Sequence, residues 1–342
     1  MTGRRHRLLP PLLLGCAAGL LLTGCGPDLR TPWFGGYVNA TSYPYFDFGT
    51  EAAGQSHTVL GFVVADPEDP CTPSWGGYYG LEEAETTLRM EEQIAALREQ
   101  GGEAVISFGG AARDELATVC TDPERLREAY ATVLDRYGVT TADFDIENDD
   151  LGDRQAHERR AEALARLQGE RDEPLDVWVT LPVAPQGLDE DSVDAVARML
   201  SAGVDVAGVN LMTMNYSESK PAEQSVVAAS EEAARSAHGQ LTALWEAAGQ
   251  DLSAEEVWNR IGLTPMIGVN DVPGEVLDLD AAAELAGFAR QQGVGRLSYW
   301  SLNRDRPCTP ADGDPAEAND FCSGLEEKAG EFTRVLGEGF GA

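Results

Sequence analysis

The sequence predicts an α/β fold, a single-domain (β/α)8 TIM barrel, on three observations. The chain has 342 residues and 43% of them are hydrophobic, which is enough to bury a large core. Eight short apolar runs alternate with amphipathic segments over roughly 300 residues, the size and alternation of such a barrel. A doubly wound open sheet is the alternative, but it normally carries a Gly-rich phosphate loop after its first strand, and the sequence has none there.

The apolar runs are short enough to be strands and too uniformly apolar to be exposed on one face. This pattern is typical of parallel strands that are buried on both faces. The predicted strands are 36–38, 58–64, 104–108, 142–146, 177–181, 206–212, 261–267 and 296–300.

Helical periodicity fills most of the intervals between these strands. Asp122 and Pro123 are typical of an N-cap and a first helical position. The first interval, 41–56, is aromatic and Gly-containing rather than helical. The predicted helices are 81–100, 123–137, 154–167, 191–200, 222–247 and 279–292.

The N-terminus carries the pattern of an export signal. Three arginines at positions 4, 5 and 7 precede the apolar stretch 8–22, which is shorter than the about 20 residues of a transmembrane helix. The stretch ends in Leu22-Thr23-Gly24-Cys25, which resembles the bacterial lipobox, where the signal is cleaved before a cysteine that then carries lipid. An ordinary secretory signal is the alternative.

The interpretation of the N-terminus as a lipoprotein signal divides the chain into three parts. We expect residues 1–24 to be a lipoprotein signal peptide, 25–32 a short tether that begins at a lipidated Cys25, and 33–340 the catalytic barrel. The protein would then be exported and held by lipid at the extracellular face of the cell membrane, or secreted under the alternative.

The charge balance excludes one class of partner. The chain has 58 Asp and Glu residues against 25 Lys and Arg residues, a net charge of −33. Because the acids are spread along the chain, nucleic acid would be repelled almost everywhere. We therefore expect no nucleic-acid partner, and no obligate protein partner is evident.

The cysteines predict disulfides. Cys16 lies in the signal, and the cysteines other than Cys25 form an even set in an exported chain: Cys71, Cys120, Cys308 and Cys322. Three pairings are open to four cysteines, and the absence of Cys-x-x-Cys spacing argues against zinc. We expect Cys71 to pair with Cys120, because they follow strands two and three, and Cys308 with Cys322 after strand eight.

Three carboxylates carry the strongest chemical signal. Asp143, Asp145 and Glu147 alternate with apolar residues, so they share one face of the fourth strand. Acids inside a barrel are costly without a function, and like charges raise the pKa of at least one of them, as a general acid requires. Two alternatives remain: an exposed strand, and a calcium loop, which would need Gly where Asn148 stands.

The acidic stretch resembles the signature Asp-Gly-x-Asp-x-Asp-x-Glu of glycoside hydrolase family 18, the chitinases and their relatives. Other motifs of the family match in order: Tyr37-Val38-Asn39 with Tyr43-Pro44-Tyr45-Phe46-Asp47, Ser107-Phe108-Gly109-Gly110, the run from Asn210 to Tyr216, and Tyr299-Trp300. Thr140-Thr141 replace the Asp-Gly that opens the signature, and Asn215 stands where related bacterial chitinases usually carry Asp.

The resemblance implies a retaining, substrate-assisted mechanism. Glu147 would protonate the glycosidic oxygen, Asp145 would hold the substrate's acetamide group, and Asp143 would support Asp145. Five residues would bind substrate: Tyr37, Met214, Asn215, Tyr216 and Trp300. For Trp300 the alternative is core filling, and for Tyr216 a buried, hydrogen-bonded hydroxyl. No metal or other cofactor is expected, since the four histidines are widely separated.

The expected activity is hydrolysis of β-1,4 bonds in chitin or N-acetylglucosamine oligomers. About 28 residues separate strands seven and eight, too few for the α+β insertion that walls deep clefts in this family, so the groove suits internal cleavage. A non-hydrolytic glycan-binding protein on the same barrel is one alternative. An endo-β-N-acetylglucosaminidase acting on N-glycans or peptidoglycan is the other.

Overall fold

The computed structural model describes residues 2–3, 29–52 and 55–340. The predicted signal, Cys16 and the predicted lipid site Cys25 lie outside these residues. Within them, none of the helices has both the length and the apolar character needed to cross a membrane.

Eight parallel strands in chain order form the barrel, as predicted. The first, β1, has two short parts. The bounds are β1 Trp33–Phe34 and Tyr37–Asn39, β2 His57–Ala65, β3 Glu103–Gly109, β4 Thr141–Asp145, β5 Asp176–Pro182, β6 Val206–Met212, β7 Ile261–Thr264 and β8 Arg296–Leu297.

Strand β1 joins the two ends of the sheet. Its first part pairs in parallel with β8 and its second part with β2. The strand is interrupted at Gly35 and Gly36, where a Cβ atom would collide with the backbone of His57 and the ring of Tyr299, respectively. Because β1 pairs with strands on both sides, the predicted barrel is confirmed.

Helices cover the outside of the barrel. Asp122 caps one of them as predicted, its carboxylate accepting from two backbone amides of the first turn. The helices are Phe48–Glu51, Leu81–Thr87, Met90–Glu99, Leu116–Val119, Pro123–Tyr137, Asn148–Leu151, Arg154–Glu170, Glu190–Ser201, Val226–Ala247, Ala254–Asn259, Leu279–Gln292 and Glu331–Gly337.

The structure corrects the predicted helices in two places. The predicted helix 81–100 is two helices, since Arg89 adopts a left-handed conformation with φ 54° between them. The interval 41–56 contains the short helix Phe48–Glu51. Both predicted disulfides are confirmed, Cys71–Cys120 linking the loops after β2 and β3, and Cys308–Cys322 closing a loop after β8.

The connections after β2 and β7 contain only small elements. An antiparallel hairpin of Pro73–Trp75 and Tyr79–Gly80 follows β2. Between β7 and β8 lie only the two-residue strands Gly268–Val269 and Val276–Leu277 and one helix. The expected lack of an α+β insertion is therefore confirmed for this interval.

The amino ends of the strands hold the first residues of the domain. In the segment predicted as a tether, the backbone amide of Arg30 donates to the side chain of Asn259 at 2.7 Å. Its guanidinium forms ion pairs with Asp176 and Asp205, which lie at the start of β5 and just before β6. Arg30 is therefore bound across the amino end of the barrel, opposite the carboxyl ends of the strands.

Candidate active site

Asp143 lies at the centre of the barrel and is fully buried. One carboxylate oxygen accepts from the hydroxyls of Tyr37 at 2.9 Å and Ser107 at 2.7 Å. The other accepts from Thr180 at 2.7 Å and from Arg296 at 2.6 Å. With four donors, Asp143 is fixed in place and its hydrogen-bonding capacity is nearly filled.

Arg296 supplies the charge that balances Asp143. Burial alone would lower the pKa of Arg296, but the neighbouring carboxylate outweighs this effect and the pKa is raised. Its guanidinium also lies over the rings of Trp33 and Trp178, at 4.8 and 5.5 Å from their centroids. Arg296 was not predicted from the sequence. The available signal was an arginine at the start of an otherwise apolar strand.

Asp145 is the next carboxylate along β4. It is 4% exposed, and its Oδ1 atom has no hydrogen-bond partner among the described residues. Burial, followed by the charges of Glu147 and Asp143, raises the pKa of Asp145 well above its usual range. Asp145 thus lines the pocket and keeps one buried oxygen without a hydrogen-bond partner among the described residues, whereas both oxygens of Asp143 are bonded.

Glu147 follows the end of β4 and precedes the short helix Asn148–Leu151. Burial, with a smaller contribution from the charge of Asp150, raises the pKa of Glu147 to about 7. A carboxyl group with this pKa holds a proton near neutral pH, as a general acid must.

A buried network supports the loop that carries Glu147. Asp150 accepts from the backbone amide of Glu115 at 2.9 Å, and Glu115 forms an ion pair with Arg160 at 2.7 Å, both side chains being fully buried. The hydroxyl of Tyr130 donates to Glu115 at 2.5 Å. These contacts join the loops after β3 and β4 behind the pocket.

The glycines after β3 allow these loops to approach. Gly109 has a φ of 96°, and a Cβ atom there would collide with the carbonyl oxygen of Asp145. The amide of Gly110 donates to that same carbonyl at 3.0 Å. The Ser-x-Gly-Gly motif therefore positions β4, through Ser107 at Asp143 and the glycines at Asp145.

A pocket of about 480 Å³ lies at the carboxyl ends of the strands. The predicted residues Tyr37, Asp145, Glu147, Met214, Asn215 and Trp300 all line it. The ring of Trp300 stacks against the ring of Phe62, with 5.8 Å between their centroids, and its centroid lies 6.2 Å from that of Tyr37. The predicted residues of the pocket thus combine two carboxylates with an apolar aromatic surface.

Tyr216 is an exception among the predicted substrate-binding residues. It is not among the residues that line the pocket, and its hydroxyl donates to Ser230 at 3.0 Å on the helix Val226–Ala247. Its backbone amide is bound by Glu275. This geometry favours the alternative of a buried, hydrogen-bonded hydroxyl, because Tyr216 is buried and its hydroxyl is bonded to a helix.

The pocket residues that were not predicted from the sequence include Phe62, Thr180, Asp271 and Asp320. Thr180 bears a polar side chain within an apolar strand, a signal similar to that of Arg296. Asp271 and Asp320 lie in loops, where no periodicity marks them.

No family model matches the chain. Two curated proteins match about 280 of its residues. The probable bifunctional chitinase/lysozyme of Escherichia coli K12 is 32% identical over 279 residues, and endochitinase 11 of Metarhizium anisopliae is 31% identical over 280. Each match covers 77% of this chain, but only 31% and 52% of the respective relatives. The chain thus spans about a third to a half of their length.

Solved structures extend the similarity. The catalytic domain of the hyperthermophilic chitinase from Pyrococcus furiosus has a TM-score of 0.78 and 30% identity, covering 91% of this chain and 96% of that domain. A GH18 chitinase from Pseudoalteromonas aurantia shares the fold, with a TM-score of 0.53 and 15% identity over 78% of this chain and 93% of that one. These matches, together with the carboxylates of β4, show that the chain belongs to glycoside hydrolase family 18, the family of the chitinases and their relatives.

Proposed function

We propose that the protein hydrolyses β-1,4 bonds between N-acetylglucosamine units of chitin. The observation that carries the proposal is a carboxyl group, Glu147, that lines a pocket and has a pKa of about 7. The names of the relatives, chitinase and endochitinase, support the substrate class.

The proposed reaction uses the substrate's own acetamide group. Glu147 donates a proton to the glycosidic oxygen while the acetamide oxygen attacks the anomeric carbon, and the leaving sugar departs. Asp145 accepts from the acetamide N–H and stabilises the positive charge that develops. Asp143, whose oxygens already accept from four donors, holds Asp145 in position. Water then attacks the intermediate, with Glu147 as base, so the product keeps the β configuration.

The pocket walls suit a sugar ring. Trp300 and Phe62 offer flat apolar faces on which the C–H side of a pyranose can pack. Met214 and Asn215 line the same pocket, and Tyr37 contributes the edge of a ring whose hydroxyl is bound to Asp143. We assign substrate binding to these residues and leave Tyr216 out.

The cellular setting belongs to the same proposal. We propose export through residues 1–24, lipid attachment at Cys25 and internal cleavage of the polymer. The lipobox-like Leu22-Thr23-Gly24-Cys25 supports the first two, and the short segment between β7 and β8 supports the third. Mass spectrometry of the mature N-terminus tests the lipid, and an unmodified N-terminus released into the medium would contradict it.

Hydrolysis of chito-oligomers by Glu147→Gln tests the central claim. The variant keeps the shape of the side chain but cannot supply the proton, so turnover should fall about 10²- to 10⁴-fold while oligomer binding is kept. Asp149→Asn is the matched control, since Asp149 is an exposed acid two residues away that is not among the residues lining the pocket. Undiminished turnover of Glu147→Gln would contradict the assignment of Glu147 as the general acid.

Proton NMR of the first products tests the stereochemistry. Substrate assistance gives the β anomer first, because two displacements at one carbon restore its configuration. An early α anomer would instead indicate direct attack by water with a second carboxylate of the pocket as base, such as Asp271 or Asp320.

A further inference from the structure

The active-site pocket has an uneven charge distribution. Four carboxylates line it, from Asp145, Glu147, Asp271 and Asp320, and no lysine or arginine is among its lining residues within the described part of the chain. Asp145 is more than nine-tenths buried, and its Oδ1 atom has no hydrogen-bond partner among the described residues. Asp271 and Asp320 are not used by the proposed reaction, and we refer to this pair as the acid wall.

Asp271 is held in place by hydrogen bonds. It lies in the loop after β7, between Gly268–Val269 and Val276–Leu277. The side-chain amide of Asn215 donates to its carboxylate at 2.8 Å, and its backbone amide donates back to Asn215 at 3.1 Å. Asn215 takes part in this pairing at the position where related bacterial chitinases usually have an acid, so a carboxylate is still present nearby.

Asp320 lies in a loop that a disulfide closes. The disulfide Cys308–Cys322 closes this loop, and Asn319 forms a β-bridge with Cys322 across the tip that contains Asp320. Asp320 is exposed, and no described residue donates a hydrogen bond to its carboxylate. Its oxygens are therefore available to a ligand in the pocket.

One cation lies behind the acid wall. Arg304 is fully buried and donates to the backbone carbonyls of Ile267, Val269 and Asn319, which tie together the loops that carry both acids. Burial lowers the pKa of Arg304 to about 10, so it remains charged at neutral pH. One buried cation against two exposed carboxylates leaves a net negative wall facing the pocket.

The acid wall lies across the pocket from the reacting carboxylates. Asp145 and Glu147 extend from β4, whereas the wall extends from loops after β7 and β8, on the opposite side of an eight-stranded barrel. Substrate assistance requires an acetyl group only on the sugar whose bond is cleaved. A sugar beside the wall is free of that requirement.

We propose that the acid wall binds glucosamine units that carry a free ammonium group, so that partly deacetylated chitin is a preferred substrate. The inference rests on the proposed function and specifies its substrate. A protonated amine gains Coulomb attraction from Asp271 and Asp320, and an anionic sugar is repelled by them. The muramic acid of peptidoglycan carries a lactyl carboxylate, so the same wall disfavours a lysozyme-type activity.

Competition between two defined substrates tests this inference. The substrates are a fully acetylated chito-oligomer and an oligomer of the same length with one internal glucosamine. Wild-type protein at low ionic strength should show the higher kcat/KM on the second. Asp320→Asn and Asp271→Asn should each lower that preference about two- to fivefold, the range for an exposed charge pair. Added salt should lower it in the wild type but much less in the double variant.

The control is Asp251→Asn, which makes the same charge change at an exposed site before the helix Ala254–Asn259, near the amino end of β7. It should leave the preference unchanged. A preference that is absent in the wild type, or that survives in both wall variants, overturns the inference while hydrolysis of the acetylated oligomer continues. Failure to cleave even the acetylated oligomer overturns the proposed function instead, so the two failures are distinguishable.

Discussion

Arg296 and Asp143 show how a single residue pair can hold an active site. Both side chains are fully buried and pair at 2.6 Å in the barrel interior. A buried ion pair contributes little when intact, because its attraction mainly offsets the loss of hydration. Removing one partner leaves the other charged and unpaired. The pair therefore fixes the geometry below Asp145 more than it adds to stability.

Replacing Arg296 should consequently be costly. Arg296→Met should lower the free energy of unfolding by about 3–5 kcal/mol, measured by urea denaturation, because Asp143 loses its countercharge. Arg166→Met is the matched control, since Arg166 pairs with Glu124 at the surface with both side chains half exposed. An exposed pair contributes about 1 kcal/mol or less. Equal losses in the two variants would contradict a special role for the buried pair.

The acid Glu147 should set the alkaline limit of activity. With a pKa of about 7, its carboxyl group loses the required proton as pH rises, so kcat/KM should fall above about pH 7. Burial is the main cause, and the negative charge of Asp150 adds to it. Asp150→Asn should thus move this alkaline limb of the kcat/KM profile to lower pH, since ionised Glu147 is no longer repelled. Asp149→Asn should leave the limb in place, and an unmoved limb in Asp150→Asn would argue against the coupling.

At the level of elements, the loop after β3 determines where β4 can lie. Gly109→Ala places a Cβ atom against the Asp145 carbonyl, so we expect loss of both stability and turnover. Gly101→Ala is the control for backbone strain alone, because Gly101 also has a positive φ, 85°, but a Cβ atom there meets nothing within 4 Å. Circular dichroism melting and oligomer hydrolysis measure the two effects. Similar losses in both variants would show that strain, not the collision, matters.

Elements were predictable where local chemistry marks their ends. The helix Pro123–Tyr137 begins after a capping Asp122 and ends before Gly138 in a left-handed conformation, and its predicted bounds agree with the structure. The break at Arg89 carries no such signal, because neither glycine nor proline occurs between the two helices. Propensity alone favours one continuous helix there, and only tertiary packing separates the two parts.

The residues of the candidate site likewise differ in whether the sequence could predict them. Asp143, Asp145 and Glu147 were predictable because alternation along one strand places all three on one face. Asp271 and Asp320 were not, since they come from two loops that are joined by the hydrogen bonds of Arg304 and by a bond from the Val269 amide to the Ser323 carbonyl, which no sequence pattern marks. The direction of the Tyr216 side chain was not predictable, for a related reason. Sequence order puts it beside Asn215, but the direction of its side chain depends on Ser230 of a later helix.

For the whole molecule, the open carboxyl face predicts the pattern of products. Only a short hairpin and one helix lie between β7 and β8, so no α+β insertion extends the groove on that side. A chain can then enter from the side, and colloidal chitin should first yield oligomers of mixed length, with an early fall in viscosity. Chromatography of the earliest products measures this. Disaccharide as the dominant product from the start would instead indicate cutting from chain ends.

The attachment of Arg30 has a consequence for how the protein stands at a cell surface. Arg30 is fastened to the amino end of the barrel by Asn259, Asp176 and Asp205. If Cys25 carries lipid, only five residues of chain separate it from Arg30. Even fully extended, a segment of that length reaches about 18 Å. The amino ends of the strands would then face the membrane, and the pocket at their carboxyl ends would face away from it. An enzyme oriented in this way would act on polymer arriving from the surroundings rather than on material beneath it.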